Sequence, residues 1–147
     1  SYSVTGVQTC ALPISYALQL AAQHGATVSA FCSAANTAMV SSLGSVKVLD
    51  YQSQALSEAG AQDIVFDAVG KLSRRACAPV LAKGGVYISV RSPTSERADE
   101  LRYLVGLAAE GRIRPFIDRR IRLEDVPEAH RLVDSGRKRG NVVVRID

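Results

Sequence analysis

The chain has 147 residues, of which 47% are hydrophobic and 22% are charged, and its formal net charge is +4. This composition is typical of one globular domain and excludes a disordered chain. The core is expected to be aliphatic, because Trp is absent and aromatic residues make up only 5%. The sequence has no clustered basic and aromatic patch that would indicate nucleic acid binding.

The first part of the chain is apolar, and no charged residue precedes Lys47. Its apolar run has no basic residue before it and is interrupted by Pro13, Gln19 and Gln23. These features argue against a signal peptide and against a membrane span. We therefore expect no membrane contact and an interior position for this part of the chain.

Cysteine usage is sparse, with Cys10, Cys32 and Cys77 far apart along the chain. An odd number at these spacings gives neither a disulfide framework nor a zinc-binding pattern, which suits a reducing compartment. The sequence therefore predicts a cytoplasmic protein without a metal site.

Residues 4–14 read VTGVQTCALPI, which is the translation of a widely used sequencing-adapter oligonucleotide. We interpret residues 1–15 as an artefactual or unstructured segment and exclude them from the predicted fold. The alternative is an ordinary strand and loop.

From Tyr16 onward, helix-like and strand-like patterns alternate. Helices are predicted at 16–24, 36–43, 72–81, 98–110 and 124–134. Strands are predicted at 27–32, 46–49, 63–68, 86–90 and 142–146, with an extended segment at 113–122. Short apolar strands separated by helices indicate repeated βαβ units, so the first four strands should be parallel.

Four strings resemble the medium-chain dehydrogenase/reductase family in order and spacing. They are VFDAVG at 65–70, GGVYISV at 84–90, GRIRPFID at 111–118 and SGRKRGN at 135–141. The similarity is greatest to the zinc-independent quinone oxidoreductase branch and its alcohol-dehydrogenase-like relatives. It implies an α/β fold, with a partial NAD(P)-binding Rossmann domain at 16–112 and a doubly wound parallel sheet. Residues 113–147 would form a strand–helix–strand return that belongs to a catalytic domain absent from this chain.

In this family a glycine-rich turn joins the first strand to the helix that corresponds to 16–24. Small residues there let backbone N–H groups meet the cofactor pyrophosphate. Here the adapter-like string occupies that place, and Gly6 alone does not replace the turn. We therefore expect an incomplete sheet without its first strand, and a truncated chain that is itself inactive.

The resemblance places the adenosine ribose near Ser33 and Asn36. NAD enzymes usually carry an acidic residue there, whereas this chain reads CSAAN at 32–36. The absence of an acid favours NADP(H) over NAD(H). A plain helix N-cap by Ser33 is the alternative. Tyr51 resembles a position near the adenine, with an ordinary edge aromatic as the alternative.

The other candidate cofactor contacts follow the later strands. Val69 and Gly70 lie where open α/β sheets bind ligands, and Gly70 could equally be a turn glycine. Ser89, Val90 and Arg91 resemble residues that flank the nicotinamide. Gly140 and Asn141 belong to a loop that approaches the cofactor in relatives, whereas a solvated turn is the alternative for the basic residues before them.

The resemblance implies hydride transfer from NAD(P)H to a small carbonyl, enone or quinone substrate, and it is compatible with a homodimeric parent. No catalytic residue is assigned, because the substrate pocket would belong mainly to the absent domain. Two alternatives stay open: the C-terminal half of a zinc-dependent alcohol dehydrogenase, and an inactive Rossmann remnant. A methyltransferase is disfavoured by the strand–helix–strand end of the chain.

Overall fold

A computed structural model describes residues 2–5, 11–44, 47–136, 138 and 140–146. Within them, the strands are β1 Tyr2–Thr5, β2 Val28–Cys32, β3 Lys47–Asp50, β4 Gln62–Asp67, β5 Leu81–Ser89, β6 Ile117–Arg122 and β7 Asn141–Arg145. The α-helices are α1 Ala11–Gln23, α2 Thr37–Ser42, α3 Arg74–Cys77, α4 Ala98–Ala109 and α5 Val126–Asp134.

The main sheet contains five parallel strands in the order β3-β2-β1-β4-β5. The chain builds outward from β1 to β3 and then returns to build β4 and β5 on the other side. Because parallel crossovers are right-handed, this reversal places helices on both faces. Leu18 and Val40 pack α1 and α2 on one face, and Cys77 packs α3 on the other. The predicted doubly wound parallel sheet is confirmed.

The expectation that the sheet lacks its first strand is wrong, because the structure contains β1. Strand β1 lies between β2 and β4, where Val4 is in register with Ala30 on one side and Phe66 on the other. Without it, two central strands would leave facing rows of unpaired N–H and C=O groups, and such groups are costly when buried. The β-branched residues of this segment also suit a strand.

Helix α1 begins at Ala11, five residues before the predicted start at Tyr16. The 1–15 segment is therefore not an unstructured tail. Gly6 and Cys10 lie outside the described residues. That this segment derives from an adapter stays a prediction.

The predicted helix at 72–81 is confirmed only over Arg74–Cys77. Helix α3 ends at Cys77, a 3-10 turn covers Ala78–Val80, and β5 begins at Leu81. Pro79 explains the break, because proline lacks the N–H that a continuing helix needs. The glycines expected to stop the helix instead lie inside β5. Gly84 has a φ of +81° at the point where the register with β4 shifts.

Strands β6 and β7 form a separate parallel pair joined through α5, so the predicted strand–helix–strand return is confirmed. Two glutamines of α1 hold the segment that leads into it. The Gln19 amide donates to the Arg114 carbonyl at 3.0 Å and accepts from the Arg114 N–H at 2.7 Å. Gln23 makes a similar pair of hydrogen bonds with Arg112. Its side-chain amide donates to the Arg112 carbonyl, and its side-chain oxygen accepts from the Arg112 guanidinium.

Strand β5 is the last strand of the sheet and leaves one apolar row uncovered. Val86, Ile88 and Val90, at the end of β5 and just beyond it, are 48%, 40% and 45% exposed. Ile88 is paired with Phe66, which packs on the α1 side of the sheet, whereas Tyr87 packs against the α3 cluster. Among the described residues, no helix is long and apolar enough to cross a membrane.

Candidate functional site

The carboxyl ends of the five parallel strands meet at one edge of the sheet. Cys32 is in register with Asp50, and Asp67 is in register with Ser89. The predicted residues that follow these strands therefore share this edge, where open α/β sheets bind their ligands. They are Ser33, Asn36, Tyr51, Val69, Gly70, Ser89, Val90 and Arg91.

The loop after β2 holds Ser33 and Asn36, both half-buried. Ser33 is at the N-cap position of a 3-10 turn over Ala34–Asn36, but its side chain makes no capping hydrogen bond. Asn36 precedes α2 and also makes none. The alternative of a plain N-cap by Ser33 therefore lacks its defining hydrogen bond, and both polar side chains lie at the edge without a capping role.

Cys32 immediately precedes this loop and is buried. Burial raises the pKa of its thiol above the usual value, and the Asp50 carboxylate adds to this, whereas a hydrogen bond with Thr37 opposes it. Burial and the charge of Asp67 likewise raise the pKa of Cys77. Thiols that resist ionisation are poor nucleophiles, so both cysteines serve as small core residues.

Tyr51 follows β3 and is half-buried. Its N–H donates to the Cys32 carbonyl at 3.3 Å, which ties it to the end of β2. Asp50 fixes the turn beyond it: its carboxylate accepts from the Gln52 N–H at 3.0 Å, and its own N–H donates to the Gln54 side chain at 2.9 Å. Tyr51 therefore lies on a well-defined loop beside the ribose candidates.

The loop after β4 is organised by Asp67, which is fully buried. One carboxylate oxygen accepts from the N–H groups of Val69 at 3.0 Å and Gly70 at 2.9 Å, and the other accepts from Leu72 at 2.8 Å. Asp67 lies within the family string VFDAVG, but the sequence analysis assigned it no role in the site. The available signal was an acidic residue at the end of an otherwise apolar strand.

Tyr87 closes this network from β5. Its hydroxyl donates to the Leu72 carbonyl at 2.6 Å and lies 3.3 Å from an Asp67 carboxylate oxygen. Burial is the main cause that raises the pKa of Tyr87, and the negative charge of Asp67 acts in the same direction. The phenol therefore stays neutral and holds the loop in place.

Gly70 and Arg91 are brought into contact across the ends of β4 and β5. Gly70 has a φ of +73°, which disfavours other residues. A Cβ atom at this position would lie 2.8 Å from Arg91 Nε and 2.9 Å from Arg91 Cγ. The Arg91 side chain thus rests on the glycine, and this pairing of two predicted residues could not be read from the sequence.

A tight turn at the end of β5 holds Arg91. Ser89 Oγ accepts from the Arg91 N–H at 3.2 Å, and Ser92 Oγ accepts from the Ser89 N–H at 3.1 Å. The Val90 N–H donates to the Asp67 carbonyl at 3.1 Å, which joins this turn to the β4 loop.

Gly140 and Asn141 lie at the start of β7, against β6 and α1. The Asn141 N–H donates to the Phe116 carbonyl at 2.7 Å. Its side-chain amide donates to the same carbonyl at 3.1 Å and to the Tyr16 hydroxyl at 3.4 Å. Asn141 therefore connects the return segment to α1. Arg137 and Arg139, which precede this pair, lie outside the described residues.

Some parts of this edge fit a dinucleotide and one part does not. The loops after β2, β4 and β5 offer polar and basic groups at the expected end of the sheet. The start of α1 is different, because its first residues are Ala11, Leu12 and Pro13. A pyrophosphate is normally held by N–H groups of a glycine-rich first turn, and Pro13 has no N–H to offer. The residues at the start of α1 do not fit a pyrophosphate.

Comparison with known proteins agrees with this architecture. A family model described as zinc-binding dehydrogenase matches residues 91–144. A thermostable, cobalt- and zinc-bound alcohol dehydrogenase from Pyrobaculum aerophilum is 26% identical, with a TM-score of 0.78 over 99% of this chain. The resemblance to the medium-chain dehydrogenase/reductase family is confirmed. The family match includes Arg91, Gly140 and Asn141 among the predicted site residues.

Two further solved structures share the fold. The quinone oxidoreductase from Coxiella burnetii is 23% identical, with a TM-score of 0.75 over 100% of this chain. An alcohol dehydrogenase described as putative, from Sinorhizobium meliloti, is 20% identical, with a TM-score of 0.80 over 100% of this chain. The chain spans 51%, 53% and 49% of the Pyrobaculum, Coxiella and Sinorhizobium proteins, about half of their length. No curated protein matches the chain.

Proposed function

We propose that this chain is the cofactor-domain part of an NAD(P)H-dependent oxidoreductase. The observation that carries the proposal is the sheet order β3-β2-β1-β4-β5 followed by a strand–helix–strand return anchored on α1. In this reading residues 16–112 belong to the NAD(P)-binding domain and residues 113–147 return to a catalytic domain. The likeness to a quinone oxidoreductase and to alcohol dehydrogenases supports the same class.

The proposed reaction is hydride transfer to a carbonyl, enone or quinone of a small molecule. A bound nicotinamide would supply the hydride, and the role of this chain would be to orient it and to exclude water. The contacts proposed for the cofactor are Ser33, Asn36, Tyr51, Val69, Gly70, Ser89, Val90, Arg91, Gly140 and Asn141. The parent is proposed to act in the cytoplasm, and a homodimer is compatible with it.

NADP(H) is proposed as the preferred cofactor. The residue that follows β2 is Ser33, and the next acidic residue along the chain is Asp50, whose carboxylate already accepts a backbone hydrogen bond. A serine does not repel a 2′-phosphate, whereas the acidic residue usual in NAD enzymes would.

A second candidate is a remnant that binds no cofactor. Pro13 in the first turn of α1 favours it, because proline supplies no N–H to a pyrophosphate. A zinc-dependent alcohol dehydrogenase parent stays the third candidate. It is supported by the zinc-binding description of the matching family model.

Titration of NADPH fluorescence separates these candidates. We expect no saturable binding by the chain as it is. The comparison variant carries Thr9→Gly, Ala11→Gly, Pro13→Ala and Ile14→Ala, which restores the spacing of a glycine-rich turn. We expect it to bind NADPH in the micromolar range and NADH more weakly. Adding Ser33→Asp should reverse that order.

Circular dichroism establishes that the variants fold before they are titrated. If the folded, turn-restored variant binds neither cofactor, the chain is a remnant and the proposal fails. Saturable micromolar binding by the unchanged chain would instead show that Pro13 does not matter. A preference for NADH in the turn-restored variant would contradict the assignment of NADP(H).

A further inference from the structure

Charge is strongly segregated around β4 and β5. Between Asp67 and Glu96 the sequence contains no acidic residue but five basic ones, namely Lys71, Arg74, Arg75, Lys83 and Arg91. Lys83 lies near the start of β5. The other four lie in the loops and the short helix that follow the carboxyl ends of β4 and β5. This end of the site edge is therefore markedly positive.

The Asp67 carboxylate, at the end of β4, is directed into the loop and not toward solvent. Asp67 is fully buried, and its oxygens accept hydrogen bonds from Val69, Gly70 and Leu72. Its acceptor capacity is thus used inside the loop. An anion that approaches from solvent meets the basic groups and not the aspartate.

Arg91 is the member of this group with a defined position. Its backbone is held by the Ser89 turn, and its side-chain stem lies on Gly70. Among the residues that the structure describes, its guanidinium has no ion pair and no hydrogen bond, although the residue is exposed. Because the stem is already held, it loses less side-chain entropy when the guanidinium binds an anion than the stem of a free surface arginine would.

We propose that Arg91 binds a carboxylate of the substrate, so that the parent enzyme acts on carbonyl or enone compounds that carry an acid group. The assignment of the anion to a substrate rests on the proposed function. It is favoured because the β4 and β5 loops lie away from the ribose candidates after β2. Guanidinium and carboxylate groups match as a two-point hydrogen-bonded pair. The anion site itself stands on the contacts of Arg91 alone.

The test uses the 147-residue chain without cofactor, in 0.15 M salt. Levulinate is titrated while the backbone amide NMR signal of Ser92, which lies in the same turn and remains in every variant, is followed. Methyl levulinate is the uncharged control. We expect a saturable, millimolar shift with levulinate and an affinity at least tenfold lower for the ester. Arg91→Gln should lower the levulinate affinity at least tenfold, and Arg91→Lys should restore part of it.

Arg102→Gln is the matched control, because it removes the same charge from an exposed position of α4. It should leave levulinate binding unchanged. Gly70→Ala should weaken binding, since the new methyl group displaces the Arg91 stem. If Arg91→Gln and Arg102→Gln lose the same levulinate affinity, binding depends only on net charge, and the proposed site at Arg91 is wrong.

Pyrophosphate is the last ligand to be titrated, and it distinguishes a site for a substrate carboxylate from a site for a cofactor phosphate. We expect it to compete with levulinate no better than its greater charge allows. Displacement at micromolar concentration would show that Arg91 serves a cofactor phosphate, and the substrate assignment would fail. Because these titrations contain no nucleotide, a failed NADPH titration leaves the anion site intact and removes only its assignment to a substrate.

Discussion

A single buried carboxylate defines the shape of the loop after β4. Asp67 replaces water as the acceptor for three backbone N–H groups, so Val69 and Gly70 keep one conformation without any ligand. Hydrogen bonds to a charged acceptor are stronger than those between neutral groups. The loop is therefore organised before a ligand arrives, which lowers the cost of binding.

Tyr87 makes this loop sensitive to alkaline pH. Its pKa is raised, mainly by burial and also by Asp67, above the value near 10 that is usual for tyrosine. The folded pKa exceeds the unfolded one, so the associated stability is complete below about pH 10 and is lost as pH rises through the folded pKa. We expect Tyr87→Phe to flatten the fall of the unfolding free energy above about pH 10.

The same substitution should cost about 1 kcal/mol at pH 8, because the Leu72 carbonyl loses its donor. Urea denaturation at pH 8 and at about pH 10.5, with a reducing agent, measures both effects. Cys32 is common to both proteins, and Cys77, whose charge also raises the pKa of Tyr87, is replaced by Ala in both so that the difference isolates Tyr87. Tyr103→Phe, at an exposed position of α4, is the control. An unchanged alkaline slope in Tyr87→Phe would contradict the assignment.

At the residue scale, the sequence predicted which residues lie at the site edge better than it predicted which of them touch each other. Gly70 and Arg91 were both predicted from the family strings, yet their contact depends on a register between β4 and β5 that no local pattern shows. Asp67 was missed because a carboxylate that satisfies backbone N–H groups has no spacing signature. The pairing of Asn141 with Tyr16 joins residues 125 positions apart and was equally invisible.

At the element scale, Gly140, just before β7, lies tightly against the residues that begin β6. A Cβ atom there would lie 2.5 Å from both the Phe116 ring and the Phe116 carbonyl, and 3.1 Å from the Asp118 nitrogen. Two of these atoms belong to the backbone and cannot rotate away. Gly140 is therefore required for the pairing of β6 with β7, whatever role it has toward a cofactor.

Gly140→Ala should accordingly destabilise the protein by about 1–3 kcal/mol. Gly106→Ala is its counterpart, because Gly106 lies inside α4 and a Cβ atom there meets nothing within 4 Å. It should stabilise the protein by about 0.5–1 kcal/mol, since alanine favours a helix more than glycine does. Chemical denaturation measures both, and a Gly140→Ala variant as stable as the parent chain would refute the steric argument.

The elements that sequence patterns predicted best are those with one clear pattern, whether periodic or continuously apolar. Strand β2 is buried at all five positions, so its apolar run was recognisable. The segment at 72–81 failed because helical spacing outweighed Pro79 in the prediction. The segment that forms β1 was excluded because residues 4–14 resemble translated adapter. The gap between β2 and β4, however, favours any β-prone segment that reaches it.

At the scale of the whole molecule, α1 connects the sheet to the return segment. Gln19 is 8% exposed and forms two hydrogen bonds with the Arg114 backbone. We expect Gln19→Ala to accelerate amide hydrogen exchange in β6 and β7 more than in β2, because the return segment loses its attachment. Gln52→Ala, at an exposed loop position, is the control. Equal acceleration in all three strands would mean that the molecule opens as one unit.

The uncovered side of β5 is expected to favour association between copies of this chain. A free strand edge with an apolar row attracts further strands, and native proteins oppose this with charges at the edge. Here Lys83 precedes the row of Val86, Ile88 and Val90, and Arg91 follows it. Their repulsion is screened as ionic strength rises. We therefore expect added salt to promote strand-to-strand aggregation, which light scattering at increasing ionic strength measures.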